Sequence, residues 1–246
     1  MSEYSQFAFY YDELIHNVDY SKMADRLLSV LAQYGHKPGL TLDLACGTGN
    51  LTFELLERGV DVYGVDASME MLSQAKDKAY ERELDVLFLC QNMQDLDLYG
   101  CSDTVFCMLD SLNHLKGAAE VQKAFDRVWM FLNPEGFFVF DMNTVYKHKY
   151  VLSDHTYVYE TDHVFCVWQN SFHAKDNRVR IDLDFFEKQG KLYRRSQESF
   201  DEYAYNASDI HKMLEKSGFK GIEIYDALDM EPPKKSSERL LVVAHK

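Results

Sequence analysis

The chain has 246 residues, 46% of them hydrophobic, which is enough for one sizeable core with a smaller accessory layer but not for two full domains. Lys and Arg number 26 against 40 Asp and Glu, a formal net charge of -14. A surface that acidic repels phosphate backbones and anionic membrane faces, so nucleic acid and membrane are disfavoured as partners.

From Asp19 to Gly35 the apolar residues Met23, Leu27, Val30, Leu31 and Tyr34 recur at helical spacing, with Asp19 or Ser21 placed to cap the start and Gly35 the end. After Pro38-Gly39 the period changes. Leu40 to Cys46 reads as a first strand, Asn50 to Arg58 as a helix, Val60 to Val65 as a second strand, and Ser68 to Tyr80 as a helix with Met69, Leu72, Ala75 and Ala79 on one face. Leu84 to Cys90 and Thr104 to Leu109 are the third and fourth strands, Val121 to Leu132 has helical period, and Phe137 to Phe140 is the fifth strand. Strands alternating with helices imply right-handed crossovers and a buried, mostly parallel sheet, a doubly wound α/β core.

Between Tyr157 and Tyr205 the period drops to two, most clearly where Val179, Ile181, Leu183 and Phe185 alternate with charged residues. Turns at Asp176-Asn177 and Gln189-Gly190 predict an antiparallel β meander of at least three strands, inserted after the fifth core strand. The boundaries follow: a core with an N-terminal helical lid over 1–147 and 206–246, and an inserted substrate or lid subdomain over 148–205. Ser208 is placed to cap a helix ending near Gly218, followed by strands at Gly221 to Tyr225 and Leu240 to Ala244. Only 14 residues with a Pro232-Pro233 break join these two, too little for a crossover helix, so they are expected to pair antiparallel.

The five cysteines include no C-x-x-C pair and sit mostly in apolar runs, as expected in a reducing cytoplasm. No signal peptide and no bilayer-spanning stretch is expected. The nine histidines show no H-E-x-x-H or Cys/His cluster along the chain, so no metal site is expected.

The chemistry concentrates in Leu42-Asp43-Leu44-Ala45-Cys46-Gly47-Thr48-Gly49-Asn50, where the first strand turns into its helix. Gly47 and Gly49 allow close backbone approach to a ligand, and Asp43 sets a carboxylate at the strand's carboxyl end, where open α/β sheets bind ligands. Asp66, 17 residues beyond Gly49, is placed to accept from ribose hydroxyls. A dinucleotide site usually has a third small residue where Thr52 stands, and Asp43 would repel a pyrophosphate. A cationic amino-acid tail would welcome it.

These residues resemble the first motif of the class I, Rossmann-like S-adenosylmethionine-dependent methyltransferases. Asp66 matches the family's ribose-binding acid, Gln91-Asn92-Met93-x-Asp95-Leu96 resembles its adenine-contacting loop, and Leu132-Asn133-Pro134-Glu135-Gly136 resembles the turn before its fifth strand. The resemblance spans roughly Leu40 to Asn143 and implies a seven-stranded sheet with an antiparallel last strand, S-adenosylmethionine as cofactor, and Tyr11, Ala45, Leu109, Asn92 and Met93 beside Asp43, Gly47, Gly49 and Asp66 in its site. Asn92 departs from the acid found in many members and would accept from the adenine amino group through its amide oxygen. Tyr10-Tyr11-Asp12, the Asp110 to His114 stretch and the meander further resemble a small-molecule-type subgroup typified by bacterial YqeM-like proteins.

Tyr11 offers an aromatic face to a sulfonium cation. His114 and Asp110, just past the fourth strand, are the candidate catalytic residues at the floor of an acceptor pocket. The expected activity is methyl transfer to a small-molecule acceptor. A nicotinamide-dependent dehydrogenase and a non-catalytic S-adenosylmethionine-binding module are the alternatives.

Overall fold

A computed structural model of the chain describes residues 5–15 and 17–246; residues 1–4 of the expected lid lie outside them. Two helices lead in, α1 (Ser5–Leu14) and α2 (Tyr20–Gln33). The core alternates as anticipated: β1 (Leu40–Leu44), α3 (Asn50–Glu57), β2 (Asp61–Asp66), α4 (Met69–Glu81), β3 (Phe88–Cys90), β4 (Ser102–Cys107), α5 (Ala118–Met130) and β5 (Leu132–Asn143). The second sheet, β6 (Thr156–Glu160), β7 (Val164–His173), β8 (Arg178–Gln189) and β9 (Leu192–Tyr203), precedes α6 (Ala207–Ser217), β10 (Lys220–Asp226) and β11 (Arg239–His245).

The seven-stranded sheet has the order β10-β11-β5-β4-β1-β2-β3. β1 lies between β4 and β2, parallel to both, and β11 is antiparallel to β5 and β10. The carboxyl ends of β1, β2 and β4 therefore emerge together on one edge, the position at which such sheets hold ligands. Side-chain alternation sorts the two faces. Leu42, Leu44, Val105, Cys107, Phe138 and Phe140 pack toward α5 and α6, while Val62, Phe106, Val139, Leu241 and Val243 pack toward α2 and α3. Asp43, odd in that alternation, falls on the α3 face.

Three sequence expectations need correction. Only Phe88–Cys90 of the run from Leu84 pairs with β2, because Glu83 turns the chain through a left-handed conformation (φ 55°) and Leu87 is 58% exposed at the sheet's edge. The first turn of α6 is set by Asn206, not Ser208: the Asn206 carbonyl already accepts from the Asp209 and Ile210 amides. The fifth strand is 12 residues long rather than four, since β11 pairs with it from Phe137 to Asn143.

The antiparallel sheet carries four strands in the order β6-β7-β8-β9. Its buried face, Val179, Ile181, Leu183 and Phe185, packs with Ala8, Tyr10 and Leu14 of α1, and Met71 of α4 joins the same cluster. The N-terminal helix is thus held between the accessory sheet and the core. On the other side of the molecule, Phe125 of α5 is fully buried with ring centroids 6.0 Å from Phe138 and 5.4 Å from Phe140. Phe125→Ala is expected to cost about 3–5 kcal/mol, from lost burial plus an uncollapsed cavity; chemical denaturation measures it, and a loss below about 1 kcal/mol would contradict this packing.

Candidate functional site

Two cavities open at the carboxyl edge of the sheet. The smaller, about 40 Å³, is walled by Asp43, Tyr20, Met23, Asn50 and Met108; the larger, about 350 Å³, by Asp66, Asn92, Met93, His114 and Lys116 among others. Tyr11, Ala45, Gly47, Leu109 and Ser111 line both, so the two meet at one partition.

Asp43 is 2% exposed and its Oδ2 accepts from the Thr52 hydroxyl at 2.6 Å. Among the described residues it has no ion-pair partner. Burial, reinforced by the nearby Asp66 charge and opposed by the Thr52 bond, pushes its carboxyl up to about 7. A buried carboxylate lining a small cavity without a countercharge fits a ligand's ammonium group. Thr52, the residue that a dinucleotide loop would replace with something smaller, is there to orient this acid.

Asp66 closes β2 and is anchored at both oxygens, Oδ2 accepting from the Gly47 amide and Oδ1 from the Ser68 amide, each at 2.8 Å. Each oxygen keeps a second lone pair for a ribose hydroxyl. Burial raises its carboxyl as well, against the pull of these amide bonds. Met93 is half-buried against the core and Asn92 is exposed at the rim of the same cavity, an arrangement that suits an adenine ring lying on a thioether with its edge toward an amide.

The two glycines of the loop do different work. Gly47 has φ 55° and open space where a Cβ would stand, on the cavity side. Gly49, at φ 81°, would bring a Cβ within 3.1–3.2 Å of Phe53 and Phe88; it lines neither cavity, and its missing Cβ lets these rings pack closely. Ala45, Leu109 and Asp110 are non-glycine residues in the left-handed region, at φ 62°, 57° and 52°. Such conformations cost of order 1 kcal/mol or more each, and here they sit where β1 and β4 end at the partition.

Asp110 lies outside both linings. Its Oδ1 takes the Arg239 guanidinium at 2.6 Å and its Oδ2 the Asn143 amide at 2.9 Å. Although burial opposes the charge, Arg239 and Lys147 hold the carboxyl at about 2. The expectation that Asp110 forms the pocket floor thus meets a carboxylate already engaged in an ion pair with β11. His114 does line the larger cavity, its ring tilted over Phe200 with centroids 5.2 Å apart and its Nε2 3.9 Å from Glu202 Oε1.

Asp110, His114 and Glu202 present one ligand-type atom each within 4.8 Å of one another, metal-like spacing that no local sequence pattern announces because distant elements supply it. Arg239 already provides the countercharge to Asp110 and to Asp141, 3.0 Å away. The cluster reads as an ion-pair network.

Sequence reasoning missed the role of Asp12. From α1 its Oδ1 accepts from the Thr48 hydroxyl and the Asn50 amide, both at 2.8 Å, and its Oδ2 pairs with Lys78 at 2.5 Å. It ties the helix bearing Tyr11 to the glycine loop. Burial raises the Tyr11 phenol well above its ordinary value, and Tyr20 is its hydrogen-bond partner. The adjacency of Asp12 to an aromatic pair was the one available signal.

Residues 41–136 match the family model described as a methyltransferase domain. YqeM of Bacillus subtilis (strain 168), a protein assigned as a methyltransferase, is 32% identical over 244 residues, covering 99% of this chain and 97% of its own. A crystal structure of an S-adenosylmethionine-dependent methyltransferase from Clostridium acetobutylicum ATCC 824 superposes with a TM-score of 0.87 at 34% identity, over 99% of both chains. The glycine/sarcosine N-methyltransferase of Halorhodospira halochloris is 27% identical over 189 residues, 75% of this chain and 66% of that one.

The raised Asp43 carboxyl has a definite sign. Its folded value, about 7, exceeds the ordinary carboxylate value near 3.9, so the penalty for ionising it is absent at pH 4 and grows until about pH 7: the ligand-free protein loses stability as pH rises through that window. A bound ammonium favours the ionised form. S-adenosylhomocysteine affinity should therefore weaken by up to about tenfold per unit as pH falls below 7, with proton release on binding near pH 6. Calorimetry in two buffers of different ionisation enthalpy measures both; an affinity flat from pH 5 to 8 would contradict the assignment.

Proposed function

The chain belongs to the class I S-adenosylmethionine-dependent methyltransferases, and on that premise we propose that its acceptor is a small amine, methylated at nitrogen with His114 as the base. S-adenosylmethionine supplies a methyl carbon already activated by its positive sulfur, so the chain's task is alignment, desolvation and removal of a proton. Asp43 would hold the amino group of the cofactor's tail, Gly47 and Ala45 its backbone side, Asp66 the ribose, and Asn92 with Met93 the adenine. Tyr11 and Leu109, common to both cavities, flank the partition between the tail's cavity and the larger one, and the aromatic face of Tyr11 favours a sulfonium there.

One observation carries the acceptor reading: the larger cavity runs from Asp66 and Asn92 to His114, Lys116 and Glu120, leaving room beyond the nucleoside that ends at an imidazole. A cavity of about 350 Å³ in all suits a small molecule, and the net charge of -14 suits a cationic one. The N-methyltransferase among the relatives supports nitrogen as the attacking atom. Residues 148–205 would act as an inserted subdomain behind this end: the Asn113 side chain donates to the Tyr203 carbonyl at 2.8 Å, and the accessory sheet brings Glu202 to 3.9 Å from the cavity-lining His114. The five free cysteines suit a reducing cytoplasm.

A panel of small primary and secondary amines, alcohols, carboxylates and thiols, each incubated with S-adenosylmethionine and followed by S-adenosylhomocysteine release, tests the reading. Turnover is expected with amines, and His114→Ala should lower kcat by about 10²-fold or more while cofactor affinity changes less than about twofold. Turnover confined to carboxylates or thiols, or an unaltered kcat in the variant, would overturn it.

A further inference from the structure

Behind His114 lies a buried carboxylate whose partners do not balance. Glu202 is 4% exposed and sits on β9, two residues from Phe200, so the same face of the strand that carries the His114 ring also aims this acid at it. Glu202 Oε1 is 3.9 Å from His114 Nε2, and Oε2 takes the Asn143 amide at 3.3 Å. His148, fully buried in the helical turn after β5, brings its Nε2 to 3.5 Å from that same Oε2.

The tautomer of His148 is fixed by its other nitrogen. Nδ1 lies 3.0 Å from the Asn177 carbonyl, which can only accept, so Nδ1 carries a hydrogen. Neutral, the ring would then turn a lone pair on Nε2 toward a carboxylate, and among the described residues Nε2 has no hydrogen-bond partner. Two buried acceptors facing each other are costly unless a proton lies between them. The fixed cations are committed elsewhere: Arg239 to Asp110 and Asp141, and Lys147, whose ammonium burial and Arg239 disfavour, to the Asn143 side-chain oxygen. The field of Lys147 is divided among Asp110, Asp141 and Glu202, and the two histidines are the groups placed to share a proton with Glu202.

We propose that Glu202 is a positioning residue for His114, and that it shares a buried proton with His148. Glu202 takes the His114 Nε2–H, which leaves Nδ1 as the nitrogen with a free pair and stabilises the imidazolium once formed; such bonds are commonly long before substrate arrives and tighten in the reactive complex. This rests on the reading of His114 as the base and deepens it. The acceptor ammonium gives a proton to Nδ1, the freed nitrogen pair forms the bond to the methyl carbon as the carbon–sulfur bond breaks, that bond's electron pair stays on sulfur, and the imidazolium later releases its proton to water. The histidine–glutamate proton keeps Glu202 from being an uncompensated buried charge while its other oxygen serves His114.

The decisive variant is Glu202→Gln. An amide needs no shared proton: its NH2 donates to His148 Nε2 and its oxygen accepts from His114, at the expense of the long Asn143 bond to the same atom, so the thermal midpoint should fall only slightly. Function is where the change should appear. Nitrogen-15 histidine spectra of the S-adenosylhomocysteine complex, which need no acceptor, are expected to show His114 protonated on Nε2 alone and His148 on both nitrogens, with the His148 Nε2 proton lost in Glu202→Gln. With an amine from the panel, kcat should fall at least about tenfold in the variant while KM for S-adenosylmethionine stays within about twofold. A wild-type His148 protonated only on Nδ1, a His114 protonated on Nδ1, or a variant with a much lowered midpoint and unaltered kcat would overturn the proposal. Should the wild type methylate no amine, the acceptor reading fails on its own and the spectra still decide the role of Glu202.

Discussion

A single desolvated carboxylate organises this molecule. Asp43 sits near the carboxyl end of β1, on the face opposite Leu42 and Leu44, where Thr52 is its one hydrogen-bond partner among the described side chains. Keeping a charge there without a cation costs free energy that nothing else in the fold requires, and the neighbouring features make sense as ways of bringing a cation to it. The left-handed Ala45 and the glycine at 47 open a cavity on its side. Asp66, the second acid at this edge, is braced by amides of the same loop and of the start of α4. Burial raises both acids, and the Asp66 charge adds to the rise at Asp43, so a cation at this edge favours the ionised form of each.

The accessory elements close this site from above. α1 is caught between the four-stranded sheet and α4 through Ala8, Tyr10 and Leu14, and Asp12 fastens it to Thr48, Asn50 and Lys78. The contacts that hold the N-terminal helix in place are thus made to the glycine loop that lines both cavities. The accessory sheet in turn places Glu202 behind His114, which lines the larger cavity.

Much of this was legible in the sequence, for physical reasons that can be named. The core strands are buried on both faces, so their apolar runs stand out, and the antiparallel pairing of the last two followed from a connection too short for a crossover. Asp43, Gly47, Asp66 and Met93 were legible because they lie in or next to one continuous loop per strand. The packing of Gly49 against Phe53 and Phe88 was not legible, because a glycine kept for close packing looks the same in sequence as one kept for a ligand. Asp110 was placed on the pocket floor because its partner, Arg239, lies on the last strand, 129 residues away. Glu202 and His148 were invisible for the same reason: a period-two strand announces which face is buried, not which polar side chain crosses to another sheet.

The central claim concerns where a positive charge rests. A crystal structure of the protein with S-adenosylhomocysteine measures it directly: the ligand's amino nitrogen should lie in the smaller cavity within ion-pair distance, about 4 Å, of Asp43, with both ribose hydroxyls on Asp66. A ligand whose amino group points away from Asp43, leaving that carboxylate sealed against Thr52 alone, would contradict the account.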